Sequence, residues 1–110
     1  MKLMTPEIEA AAPFMYETEN VPTEDKVAVA KFFFPMGRGT WYLMEYDPEQ
    51  RVGFGYCVSP LGPDCDEWGY FSIDELEGVR VHGLGVERDI HFKPTRFGDL
   101  RHIGECLVGE

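Results

Sequence analysis

The spacing of apolar positions changes repeatedly along the chain, and each change marks an element. Residues 26–34 put Val27, Val29, Lys31 and Phe33 on one parity and Ala28, Ala30, Phe32 and Phe34 on the other. A run that is apolar on both sides predicts a central strand covered on both faces for part of its length. Residues 40–46 are rich in β-formers and follow the turn Pro35-Met36-Gly37-Arg38-Gly39, so they pair back as a hairpin. Asp47-Pro48-Glu49-Gln50 is a second turn, with Pro48 suited to its first central position. Residues 52–58 are the third strand, and Gly53 and Gly55 within it point to a bulge or a close backbone approach.

Helix signals flank this meander. Thr5 before Pro6 reads as an N-cap followed by proline at the first helical position, with Glu7 and Glu9 facing the positive end of the dipole. Pro13 ends or kinks that helix near Ala12, leaving Phe14-Met15-Tyr16 as an apolar closing segment and 17–25 as an acidic connection. Residues 59–67 hold Pro60, Gly62 and Pro63 and are expected to be the most mobile internal loop. A short strand follows at 68–71, and Ser72 with Glu75 has the spacing of a capping box that starts a helix through Leu76. Gly78, Gly83 and Gly85 let the chain re-enter as a strand over 86–92, which Pro94 stops, and 99–103 forms a short final helix. The order predicts an α+β fold, a mainly antiparallel sheet of about five strands with two or three short helices.

At 110 residues the chain is expected to be one domain, able to bury about two-thirds of its unfolded surface but not to support two cores. Twenty acids against ten Lys and Arg give a net charge of −10, which disfavours direct nucleic-acid binding. The charge is uneven. Nine acids lie between Gly39 and Val79 (Glu45, Asp47, Glu49, Asp64, Asp66, Glu67, Asp74, Glu75 and Glu77) against Arg51 alone, whereas residues 80–101 are mixed. Cys57, Cys65 and Cys106 are odd in number and have no C-x-x-C spacing, so neither a disulfide framework nor a zinc motif is expected. With no 18-residue apolar run and no signal-like start, the expectation is a cytoplasmic protein that does not engage a membrane.

Few residues form a chemical constellation. Glu87, Asp89 and His91 alternate on the expected last strand and would set two carboxylates beside an imidazole, an arrangement suited to a divalent metal or acid-base work. The blander reading of the trio is a solvated strand face. Arg88 falls between apolar Val86 and Ile90, so its guanidinium needs a carboxylate, with Glu45 or Glu77 as donors of one; a ligand-binding role is the alternative. Cys57 reads as a small buried thiol, and Gly37-Arg38-Gly39 and Gly83-Leu84-Gly85 read as turns rather than nucleotide loops. Trp41, Tyr42, Tyr46, Tyr56, Trp68 and Tyr70 form an aromatic set expected to be mostly core, with Trp68 at the edge of the acidic loop.

The run WGYFSIDELEGVRVHGLGVERDIHFKP over 68–94, together with Lys31-Phe32-Phe33, Trp41-Tyr42, Glu45 and Gly55-Tyr56, resembles a small bacterial family of unknown function carried largely on plasmids and integrative elements. The resemblance implies a setting, not an activity. Two function classes follow. The first is an acidic accessory protein of a mobile element that binds a protein with a basic surface, one form being inhibition of a host-defence protein. Its expected contact residues are Asp64, Asp66, Glu67, Trp68, Asp74, Glu75, Glu77 and Arg88, with no cofactor, metal or catalytic residue. The second is a small metal-dependent or acid-base enzyme built on Glu87, Asp89 and His91.

Overall fold

The computed structural model describes residues 2–59 and 61–100. Helix α1 (Pro6–Ala11) is capped by Thr5, whose hydroxyl accepts from the Ile8 amide, and ends at Ala12 before Pro13. Strands β1 (Val27–Ala28), β2 (Ala30–Phe33), β3 (Thr40–Asp47) and β4 (Val52–Val58) follow. Then come β5 (Glu67–Ser72), α2 (Ile73–Gly78), β6 (Glu87–Arg88), β7 (Thr95–Arg96) and α3 (Phe97–Leu100). A five-stranded antiparallel sheet runs in the order β5-β4-β3-β2-β6, and β1 pairs with β7 in a two-stranded sheet. The fold is α+β, as the order of elements implies.

Three expectations change in detail. The 26–34 run is broken at Val29, so β1 leaves the main sheet for β7 while β2 lies between β3 and β6. The strand expected over 86–92 is only Glu87–Arg88, because the Asp89 carboxylate accepts from the His91 amide and turns the chain there. The last helix begins at Phe97, two residues before the expected start, and its expected end at 103 lies outside the described residues. Cys106 also lies outside them.

Two apolar clusters cover the sheet. On one face Leu3, Met4, Phe32, Leu43, Phe71, Ile73 and Leu76 pack under the N-terminal segment and α2. On the other Ala28, Tyr42, Met44, Tyr56, Val58, Phe97 and Leu100 pack beneath α3. Between β3 and β4 the register runs Leu43↔Gly55 and then Glu45↔Phe54, so Met44 is the extra residue of a bulge. The close approach expected at Gly55 is this bulge seen from the opposite strand: a Cβ there would fall on the Tyr42 carbonyl oxygen. The bulge reverses the alternation of β3. Leu43 and Tyr46 share one cluster, and Glu45 comes to lie on the face that carries Phe54.

Candidate functional site

Among the described residues Glu45 is the one charged residue that is buried as a whole, backbone included, with 3% of its surface accessible. Its Oε1 accepts from the Tyr16 amide at 2.7 Å, and its Oε2 accepts from the Thr18 amide at 3.1 Å and from the Thr18 hydroxyl. Tyr16 takes a left-handed backbone conformation (φ 68°), which turns its amide and that of Thr18 toward the same carboxylate. The Lys26 ammonium in turn donates to the Thr18 carbonyl and hydroxyl. The segment after Pro13, expected to be a plain acidic connection, is thus bound to the sheet through Glu45, the residue that follows the bulge of β3.

Above Glu45 a cleft of about 240 Å³ is lined by Tyr16, Glu19, Lys26, Glu45, Phe54 and Tyr70. Tyr70 comes from β5 and Phe54 from β4, and their rings meet with centroids 5.1 Å apart. The Tyr70 hydroxyl donates to that of Tyr16 at 3.3 Å. That bond, followed by partial desolvation and the negative charge of Glu45, holds the Tyr70 phenol above its ordinary 10.0. Tyr70 belongs to the aromatic set expected to be mostly core, but 56% of its surface is accessible. Tyr16, 62% accessible, shares this surface with Tyr70, and Phe14, two residues earlier in the chain, is 69% accessible; Glu17 and Glu19 are also exposed.

The expected acidic contact residues are not brought together. Asp64, Asp66 and Glu67 lie at one end of β5 and Asp74, Glu75 and Glu77 beyond the other, across a six-residue strand of about 17 Å. Asp66 is internal, its side chain 2% accessible, where it accepts from the Ser59 amide and pairs with Arg38 at 2.6 Å. It therefore anchors the loop expected to be the most mobile. Asp74 and Glu77 both pair with Arg51, and Glu77 also accepts from the Leu3 amide. Burial raises the Glu77 carboxyl, but the Leu3 amide and Arg51 outweigh it and hold the group below its ordinary 4.5. Asp64, Glu67 and Glu75 are exposed.

Trp68 is half-buried in an aromatic cluster, 4.8 Å from Phe97, 5.6 Å from Tyr56 and 6.0 Å from Phe54 between ring centroids. The carboxylates expected to pair with Arg88 are engaged elsewhere, Glu45 with Tyr16 and Thr18 and Glu77 with Arg51. Arg88 donates to the backbone carbonyls of Lys2 and Leu3, tying the N-terminal segment to the sheet edge.

Glu87, Asp89 and His91 do not share a strand face, since β6 ends at Arg88, and Asp89 lies 3.9 Å from the Lys31 ammonium. Among the described residues no group of three His, Cys, Asp or Glu is placed to hold a metal ion. A larger cleft of about 480 Å³ beside Lys2, Thr5, Glu9, Arg51 and Glu77 is floored by the internally paired Arg51–Glu77 couple, which marks it as a seam between the N-terminal segment and α2. No helix among the described residues is long and apolar enough to cross a membrane.

The exposed aromatic cleft therefore rests on residues the sequence reading passed over. Glu19 and Phe54 had no role in it, Tyr16 entered as part of an apolar closing segment, and Glu45 entered as one of nine central acids, in the family resemblance and as a partner for Arg88. The available signal was a carboxylate inside the apolar run Tyr42-Leu43-Met44-Glu45-Tyr46. No curated protein and no solved structure matches the chain. A family model does match, over residues 3–98, and it takes in every residue of the cleft. The chain belongs to that family, described as protein of unknown function (DUF2958).

Proposed function

We propose that the protein is a small acidic accessory protein that acts by binding another protein, through the surface formed by Phe14, Tyr16 and Tyr70. The observation that supports this is the exposed pair Tyr16 and Tyr70, joined through their hydroxyls with Glu19 at the same cleft, and the exposure of Phe14 two residues before Tyr16. Aromatic residues are enriched at the centres of protein interfaces because they bury large areas with few rotatable bonds. A net charge of −10 favours a partner with a basic surface, since complementary fields speed encounter and reject acidic competitors. In the mobile-element setting that the resemblance implies, a host-defence protein with a basic nucleic-acid-binding surface is a partner of this kind. The acids at the two ends of β5 steer association from a distance, and the aromatic surface makes the contact.

The reading is tested by comparing the wild type with a Tyr16→Ala/Tyr70→Ala double variant in capture from host extract at increasing salt. Both side chains are exposed, so the variant is expected to fold. It should lose a protein that the wild type retains, and wild-type retention should fall with salt because screening shortens the reach of the charges to about 8 Å at physiological ionic strength. Equal capture by both proteins would contradict it.

A further inference from the structure

The geometry points to the Tyr16–Phe54–Tyr70 cleft as a socket for one arginine side chain of the partner. The inference rests on the binding reading above and names the group that the surface grips. Three aromatic rings from three separate segments line the cleft, and the carboxylates of Glu19 and Glu45 share it. Aromatic faces are negative and attract cations, and a cation enclosed by several rings with a carboxylate in reach is held more strongly than by either alone.

Guanidinium is favoured over ammonium for two reasons. It is flat and weakly hydrated, so it stacks on rings such as Phe54 and Tyr70 at lower desolvation cost. It also carries five donors in a fork, and the cleft offers several acceptors. Glu45 Oε1 accepts one bond, from Tyr16, and keeps acceptor capacity; Glu19 and the Tyr16 hydroxyl stand at the same cleft.

Lys26 lies on the lining and would oppose a cation, but its ammonium is drawn to the Thr18 carbonyl and hydroxyl. Two carboxylates against one ammonium leave the cleft negative. Its volume of about 240 Å³ suits a single long side chain rather than a folded peptide segment.

The test needs no partner protein. N-acetyl-arginine methylamide is titrated into the full chain while ring-proton and amide NMR shifts are followed, with the citrulline analogue as neutral isostere and the lysine analogue as compact cation. Expected are saturable shifts centred on Tyr16, Phe54 and Tyr70, with the citrulline analogue at least about tenfold weaker through loss of the cation–ring and carboxylate attraction. The lysine analogue is expected to fall between the two. Tyr70→Ala and Glu19→Gln, both at exposed positions, should each weaken arginine binding while Tyr70→Phe retains it. Equal response to citrulline or lysine would overturn the assignment. So would shifts spread over Asp64, Glu67 and Glu75 instead of the cleft, the pattern of unspecific attraction to acids. Because no partner is present, a negative titration removes the socket while the protein-binding reading stands or falls on its own capture experiment.

Discussion

Replacing Glu45 by Gln changes one atom and should loosen the whole segment that carries the binding surface. The carboxylate takes the Tyr16 amide on Oε1 and the Thr18 amide and hydroxyl on Oε2. An amide has one carbonyl, so in either orientation its NH2 group faces a backbone N–H that also donates. Facing Tyr16 it leaves that amide unsatisfied; facing Thr18 it is relieved in part, because the Thr18 hydroxyl can reverse and accept. One hydrogen bond to a charged acceptor is lost, worth about 1.5–3 kcal/mol. A central loss of about 2 kcal/mol corresponds to a fall in Tm of roughly 8–16 °C for a domain of this size. Thermal unfolding followed by circular dichroism measures the total. Hydrogen exchange locates it: protection should fall first at the Tyr16 and Thr18 amides, ahead of β3 and β4. A Tm within about 2 °C of the wild type, with both amides still protected, would refute the anchoring role.

Other consequences of the geometry can be checked alongside. Alanine at Gly55, where a Cβ meets the Tyr42 backbone, should abolish folding, whereas at Gly53 it meets Leu43 Cδ1 at 2.6 Å and Phe71 Cε2 at 2.7 Å and should cost about 1–3 kcal/mol. At Gly69, with open space around the site, the same change should leave the urea midpoint nearly unchanged. Burial, then the charge of Glu67, pushes the Cys57 thiol up to about 11, so alkylation at mild alkaline pH with peptide mapping should label exposed Cys65 far ahead of Cys57. Glu77 is held below its ordinary 4.5 in the folded chain. It therefore contributes stability that is present above that value and is lost as pH falls through the lowered folded one. Glu77→Gln should lower stability at pH 7 and flatten its decline in acid, as read by chemical denaturation across pH.

Local chemistry was legible in the sequence and long-range pairing was not. Thr5 and Ser72 cap their helices as expected, because each bond closes within three residues, to Ile8 and Glu75. The hairpin of β3 and β4 followed from a proline turn between two β-rich runs. The strand expected beyond Arg88 failed for a local reason that alternation hides, the Asp89 side chain competing for the His91 amide. The spatial arrangement of the acids was illegible for a different reason. Asp66 meets Arg38 from 28 positions away and Asp74 meets Arg51 from 23, and charge counts along the chain carry no record of such pairs. Glu45 is the same case, bound to an amide 29 positions away. Its place in an apolar run marked it as unusual without naming its partner, and the bulge that turned it toward the cleft left a trace only in the glycine opposite.

The central claim is that the Tyr16–Tyr70 surface contacts a basic protein, and site-specific photocrosslinking in the native host tests it most directly. A photoreactive phenylalanine analogue placed at position 70 should give one discrete adduct that disappears with added salt. The same probe at exposed Ile90, beyond the far edge strand β6, should give none. No adduct at position 70, or the adduct at position 90 instead, would contradict the account.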